Sequence, residues 1–190
     1  EEVVVIGTRT EGRSALDSPA PVDVIGGETM SNQGDTDMSN LLRNVVPSYN
    51  VNDQPISDAA TLVRPANLRG LAPDHTLMLV NGKRRHRASV ITWLGNGISN
   101  GSQGPDAAAI PALALKRIEV LRDGASAQYG SDAIAGVMNF VLNDAREGGS
   151  VEVRYGEYKE GDGEQVTITG NIGLPLGDSG FLNLTAEWGE

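Results

Sequence analysis

Apolar and polar residues alternate with a period of two over three segments between Val151 and Trp188. Val151, Val153 and Tyr155 interleave with Glu152, Arg154 and Gly156; Val166, Ile168 and Ile172 with Thr167, Thr169 and Asn171; Leu182, Leu184, Ala186 and Trp188 with Asn183, Thr185 and Glu187. Strict alternation sends successive side chains to opposite faces of an extended chain, so each segment is a two-faced strand and not a helix. With the residues that flank them up to the connections, the three strands run to roughly ten residues, matching the ~9–11 of a tilted membrane strand. The connections fall at residues 159–163 and 175–180, both rich in turn formers. Two architectures satisfy this pattern: a soluble meander with its apolar face on a core, or the opening strands of a transmembrane barrel.

No apolar run approaches the ~20 residues of a membrane helix, and the first residues lack the basic and apolar regions of a signal peptide. A closed β-barrel is then the remaining way to cross a bilayer, because lipid offers no partner to an open backbone. The formal charge of −10 argues against a general nucleic-acid binder. No cysteine is present, which excludes disulfides and thiolate metal sites. With 24 glycines and 4% aromatic residues, the chain favours turns and short strands over long packed helices.

Ahead of residue 148 the texture differs. Glu1-Glu2-Val3-Val4-Val5-Ile6-Gly7 is a β-branched run followed by a polar leash, and Val22-Asp23-Val24-Ile25 reads as a short strand that Gly26-Gly27 breaks. Met38, Leu41, Leu42 and Val45 have the spacing of one helical face, with Asp35 or Thr36 as N-cap and Pro47 closing the helix. Residues 49–62 lack periodicity and read as a loop. Thr76–Val80 is a buried-type strand ended by Asn81-Gly82, the strongest two-residue signal for a hairpin. Residues 88–106 form an excursion too long for a plain connection. Pro111 starts a helical turn, and residues 118–121 form a strand that Asp123-Gly124 turns.

Three passages carry a resemblance: Leu68-Arg69-Gly70-Leu71; Leu77-Met78-Leu79-Val80-Asn81-Gly82-Lys83-Arg84; and IPALALKRIEVLRDGASAQYGSDAIAGVMNFVL over residues 110–142. Together they resemble the plug of TonB-dependent outer-membrane receptors. The fold class implied is α+β: a small mixed-sheet plug with short helices, then three antiparallel strands of a truncated transmembrane β-barrel. The domains implied are a Ton box and linker at 1–13, a plug at 14–148 and the first wall strands at 149–190. The resemblance further implies a barrel of ~22 strands filled by the plug. It also implies residence in the bacterial outer membrane with the Ton box facing the periplasm, and uptake of a scarce ligand such as an iron chelate driven by force from TonB.

In this reading Glu2, Val3, Val4, Val5, Ile6 and Gly7 bind the periplasmic domain of TonB. A β-branched segment without a local partner adds readily to an exposed sheet edge; composition alone favours an edge strand of the plug, a preference the downstream resemblance reverses. Arg69, Gly70, Asn81, Gly82, Arg117, Glu119, Arg122, Gly124, Tyr129, Gly130 and Gly136 make up the structural plug motif. Its glycines supply positive φ or close approach, while Ala125, Ala127, Ala133 and Ala135 let a helical turn pack tightly.

The family's apical loops correspond to residues 50–62, 72–75 and 84–105, which makes Asp74, His75, Arg84, Arg85, His86, Arg87 and Trp93 ligand-facing. Arginines there favour an anionic ligand; the basic cluster at 83–87 also reads as a solvated strand end. No catalytic residue, cofactor or metal is expected. Asp123, Ser126 and Asp132 have no nearby histidine and no GxSxG frame, Gly82-Lys83-Arg84 lacks phosphate-loop spacing, and only His75 and His86 are available as nitrogen ligands. The expected partners are TonB, the rest of the barrel and a small ligand. Strands ending at Glu190 cannot close a barrel, so the chain is expected to belong to a longer receptor, with strand-mediated self-association of the fragment as a conditional expectation. A soluble β-rich interaction module remains the rival reading.

Overall fold

The uncharged run Thr76–Val80, which carries no polar side chain beyond its first residue, reads as a strand covered on both faces, and it lies near the middle of a five-stranded sheet. The computed structural model describes residues 3–4, 6–7, 13–14, 20–51, 63–93, 97–159 and 161–190. In chain order the strands are β1 (Val3–Val4), β2 (Arg13–Ser14), β3 (Val22–Gly26), β4 (Tyr49–Asn50), β5 (Asn67–Leu68), β6 (Thr76–Val80), β7 (Lys83–Arg84), β8 (Leu115–Leu121), β9 (Gly136–Leu142), β10 (Gly149–Gly156), β11 (Gln165–Leu176) and β12 (Gly180–Gly189). The α-helices are α1 (Gly27–Ser31), α2 (Met38–Val45) and α3 (Ser126–Tyr129).

The plug sheet has the order β3-β8-β9-β6-β7. Only β6 and β9 run parallel, pairing Thr76 with Gly136 through Val80 with Phe140. Alternation along these strands divides the core. Met78, Ile118, Val120, Met138 and Phe140 face the larger cluster, which includes Met30 of α1 and Met38, Leu41 and Leu42 of α2. Leu77, Leu79, Leu121 and Val137 face a second, smaller cluster that also holds Ala125, Ala133 and Ile6.

Helix α2 forms where its apolar spacing predicts, but its cap is neither Asp35 nor Thr36. The Asp37 carboxylate accepts from the Ser39 amide at 2.8 Å, while Asp35 accepts from the Asp37 amide at 2.9 Å and shapes the turn before it. Strand β3 ends at Gly26 as expected, and Gly27 opens α1. A Cβ there would lie 2.0 Å from the Leu115 carbonyl oxygen, so the missing side chain lets α1 close onto β8. At Tyr49–Asn50 the expected loop instead pairs with Asn67–Leu68. Burial in this layer pushes the Tyr49 phenol well above its usual pKa, so it stays neutral. The remainder of that loop, residues 52–62, lies outside the described residues, as do Glu2 and Val5 of the proposed Ton box.

At Gly136 the backbone has φ +150°, and a Cβ would lie 2.3 Å from the Leu121 carbonyl oxygen and 2.7 Å from Leu68 Cδ2. Gly136→Ala is therefore expected to cost about 3 kcal/mol, from overpacking plus a conformation that L residues avoid. Urea unfolding followed by the fluorescence of a probe on the plug measures it.

Strands β10, β11 and β12 form a separate antiparallel sheet in that order. β11 runs through Pro175 and Leu176, which pair with Phe181 and Gly180, so the connection expected at 175–180 narrows to residues 177–179. The polar face turns inward: Thr167, Thr169 and Asn171 are buried at 5, 7 and 9% exposure. Outward go Val151, Val153, Tyr155, Ile172, Leu184 and Trp188, from 46% exposed at Ile172 to 75% at Val151. A soluble meander has the reverse polarity. The fold is thus a mixed-sheet plug with short helices beside three strands of an unclosed wall.

Candidate functional site: a buried polar lock, a basic cavity and a docked N-terminal segment

Asn81 (φ +48°) and Gly82 (φ +75°) are both left-handed, as a two-residue hairpin turn requires. The Asn81 carboxamide oxygen accepts from the Leu142 amide at 2.9 Å, and the Asn81 amide donates to the Phe140 carbonyl at 3.0 Å. Gly82 donates to Asn139 Oδ1 at 2.9 Å, and Asn139 Nδ2 donates to Glu119 Oε2 at 3.1 Å. Arg117 Nε donates to Glu119 Oε1 at 2.9 Å. Glu119 and Asn139 are fully buried and Arg117 nearly so. The turn and the RIE segment are distant in sequence yet joined through Asn139, a residue the sequence reading passed over. Its signal was an asparagine inside the apolar run Val137-Met138-Asn139-Phe140-Val141.

Other motif residues are placed around this lock. Arg69 and Gly70 adopt successive positive φ values of 56° and 69°, and Arg69 donates to the Ala135 carbonyl at 3.4 Å. Arg122 donates to Asp23 Oδ1 at 3.1 Å, tying β8 to β3. Gly130 has φ +98°. Gly124 differs from its expectation: its φ is not positive, and a Cβ there would make only ordinary contact with the Ile134 carbonyl at 3.4 Å. Ala127 is exposed and takes no part in the tight packing to which Ala125, Ala133 and Ala135 contribute.

The basic hairpin lines a cavity of about 400 Å³ together with Asp74, Thr76, Gln103, Gly104, Pro105 and Asp132. Arg84, Arg85, His86 and Arg87 all reach it, whereas His75 and Trp93 are not among its lining residues. His75 acts through its backbone, accepting from the Ala135 amide at 2.9 Å. Trp93 projects with Ile91 and Ile98 from the 88–106 excursion. Hydrogen bonds fold that excursion on itself: the Thr92 amide donates to the Ser102 carbonyl at 2.8 Å, and Ser102 Oγ to the Ser99 carbonyl at 2.6 Å.

The four basic residues are not equivalent. Arg84 binds Asp132 and the Tyr129 carbonyl, and Arg85 Nε donates to the Asp106 carbonyl at 2.8 Å. Asp74 accepts from the Gln103 amide at 2.9 Å, which brings Gln103 to the rim. Nothing in the local sequence marked Gln103 or Asp132 as neighbours of the hairpin; only the folding of the excursion brings them there.

The seam between plug and wall is polar. Arg154 of β10 donates to the carbonyls of Ser31 and Asp35 and pairs with Glu152. Across the seam Asn143 donates to Asn171 Oδ1 at 3.4 Å and Asn183 donates to the Ala145 carbonyl at 3.3 Å, while within the wall Asn171 donates to Asn183 Oδ1 at 2.6 Å and Thr185 Oγ1 at 2.8 Å. Such contacts exchange with water at little net cost, unlike a dry apolar seam.

At the N-terminus, β1 pairs antiparallel with β2, Val3 opposite Ser14 and Val4 opposite Arg13. Ile6 is fully buried in the second core cluster, and the Gly7 amide donates to the Tyr129 hydroxyl oxygen at 3.4 Å. Ile6 and Gly7 of the proposed TonB-binding segment are thus seated on the plug.

A small mixed sheet with an NG hairpin and a buried Arg-Glu-Asn lock, beside wall strands whose polar face turns inward, defines a receptor plug. The family model of the TonB-dependent receptor plug domain matches residues 14–137, and the chain belongs to that family. It is 29% identical over 177 residues to the ferrienterobactin receptor of Escherichia coli (strain K12), covering 89% of this chain and 23% of that protein. It is 32% identical over 147 residues to the probable TonB-dependent siderophore receptor PirA of Acinetobacter baumannii, covering 74% and 19%. Among solved structures, the siderophore receptor PirA from Acinetobacter baumannii superposes with a TM-score of 0.65 at 27% identity, covering 88% of this chain and 24% of that one. The ferric enterobactin receptor PfeA from Pseudomonas aeruginosa superposes with a TM-score of 0.66 at 25% identity, covering 91% and 25%. The chain therefore spans about a quarter of the length of the solved receptors it matches.

Proposed function

We propose that this chain is the gate and ligand-sensing plug of an outer-membrane active-transport receptor, with residues 1–13 as Ton box and linker, 14–148 as plug and 149–190 as the first strands of the wall. The inverted polarity of β10–β12 carries the reading: a sheet that buries threonine and asparagine and exposes valine, isoleucine and tryptophan matches a lipid-facing wall around a polar lumen. The relatives are named as receptors for ferric enterobactin and other siderophores. The arginine-lined cavity suits an anionic metal chelate of that kind. No catalytic role is assigned. In this reading the Ton box faces the periplasm and binds the C-terminal domain of TonB by strand addition.

The deciding experiment titrates the whole receptor with the TonB C-terminal domain and, separately, with a ferric catecholate. Saturable binding of both is expected, and a receptor that binds neither ends the proposal. Arg87→Gln is expected to weaken chelate affinity by about tenfold, the worth of one hydrogen bond to a charged group. Ile172→Arg on the outer face is expected to destabilise the inserted barrel by ~2–4 kcal/mol if it lies near the midplane, read by urea unfolding in lipid. The outer edges of β10 and β12 are the pairing sites for further wall strands, and in water the isolated piece is expected to self-associate through them. Light scattering that finds a stable monomer argues against that association.

A further inference from the structure

We propose that Asn100-Gly101 is a site of spontaneous deamidation in the 88–106 excursion, and that Asn81-Gly82, the same dipeptide, is shielded from this reaction by the buried lock. The chemistry needs no enzyme. The glycine nitrogen, once it has lost its proton to water, attacks the asparagine Cγ; the new C–N bond closes a five-membered succinimide, and the carboxamide nitrogen leaves as ammonia. Water then opens the ring at either carbonyl, which gives aspartate or, with the main chain rerouted through the side chain, isoaspartate. One water is consumed, one ammonia is released and no electron is transferred. Glycine favours the attack because no Cβ crowds its nitrogen or restricts its backbone.

Asn-Gly occurs at 81–82, 96–97 and 100–101. Asn96 lies outside the described residues. The other two pairs are both exposed to solvent, so water reaches each of them and burial does not set them apart. Hydrogen bonding does. At the hairpin both reacting groups are engaged: the Gly82 amide donates to Asn139 Oδ1 at 2.9 Å, and Asn81 Oδ1 accepts from the Leu142 amide at 2.9 Å. Asn139 is held in turn by Glu119, fully buried between β8 and β9, so the nucleophile is released only when the middle of the sheet opens. The turn needs this dipeptide for its two positive φ values, and the lock lets it keep so reactive a pair.

At Asn100 the same groups lack that support. The Gly101 amide donates to the Thr92 carbonyl at 2.6 Å, an acceptor within the same excursion, and the Asn100 carboxamide has no hydrogen-bond partner among the described residues. A surface loop tied only to itself opens at low cost, and its carboxamide then rotates onto the released nitrogen. Isoaspartate at this position lengthens the main chain and draws the Gly101 amide off the Thr92 carbonyl, a tie that folds the excursion. It also brings a carboxylate close in sequence to Gln103, a lining residue of the basic cavity.

The test incubates the whole receptor at mildly alkaline pH, folded and unfolded in urea, and follows each asparagine by peptide mapping with mass spectrometry, isoaspartate being counted by enzymatic methylation. In the folded receptor Asn100 is expected to convert roughly tenfold faster than Asn81 or more, the worth of the hydrogen bonds that hold the hairpin, whereas in urea the two are expected to convert at similar rates. Equal rates in the folded receptor overturn the shield. Conversion of Asn100 in urea but not in the folded receptor overturns the site. Asn139→Leu is expected to raise the Asn81 rate about tenfold and leave that of Asn100 unchanged. An unchanged Asn81 rate in this variant removes the lock as the shield, and so does an equal rise at both sites, which makes general unfolding the cause. Hydrogen exchange on the unaltered receptor reads the shield without any substitution: the Gly82 amide is expected to be protected about tenfold beyond the Gly101 amide, and equal protection contradicts the proposal.

Discussion

Deletion of residues 1–7 from the whole receptor is expected to abolish energised uptake while leaving ligand affinity unchanged. The seven residues reach about 23 Å when extended at ~3.3 Å each, enough to supply a complete strand to a partner sheet. Their chemistry suits strand addition: four consecutive β-branched residues, Val3 to Ile6, behind two glutamates and before a glycine. The proposed binding cavity lies at the basic hairpin, and no described residue of this segment lines it, so affinity is expected to hold. The deletion also uncovers Leu77 and Leu79, which lose Ile6 as a cover. Val4→Pro separates the two effects. Proline withdraws a strand donor while retaining Ile6, and it is expected to stop uptake without loosening the plug. Paired measurements of radiolabelled chelate binding and time-dependent accumulation decide the matter. Accumulation that survives the deletion removes force transmission through this segment from the mechanism.

Glu119→Ala is expected to destabilise the plug by about 3–5 kcal/mol, the cost of breaking a buried ion pair from one side. The carboxylate accepts from both Arg117 and Asn139, and Asn139 in turn accepts from Gly82. Removing it takes an acceptor from two donors buried between β8 and β9, and loosens the hairpin turn through Asn139. The lock thus links strands far apart in sequence at the point where β6 hands over to β7. Arg117→Met with Glu119→Leu is expected to cost less than the single alanine, because no buried charge is then left behind. Hydrogen exchange of the β8 and β9 amides reads the change within the plug itself, undiluted by the wall. A loss of protection worth less than about 1 kcal/mol contradicts the assignment of the lock, since that is the scale of an exposed pair.

Local geometry explains what was legible in the residues. Met38, Leu41, Leu42 and Val45 imply α2 because 3.6 residues per turn is a property of the backbone alone. Thr76–Val80 and Asn81-Gly82 imply a strand and a turn for the same reason, and the passage from Arg117 to Val137 was specific enough to imply the family. Period two implied three strands with one polar and one apolar face each. It did not say which face is inside. That follows from where the plug sits, and the plug's position is a matter of contacts between residues more than 100 apart, such as Arg154 with Ser31 and Asp35.

Helix α1 escaped notice because five residues hold too few turns for a periodic signal, and Gly27 matters there only when the Leu115 carbonyl arrives opposite it. Asp37 displaced Asp35 as cap by a choice between neighbouring oxygens that only the final backbone path resolves. The arginines of the basic hairpin were equal in sequence and became unequal when Asp132 and Tyr129 came to lie beside Arg84. Sequence alone determined α2, the longer strands and the family, through short-range periodicity and motif. Tertiary structure decided the sidedness of the wall, the membership of the lock and the docking of Ile6, because each depends on long-range contacts that no local pattern encodes.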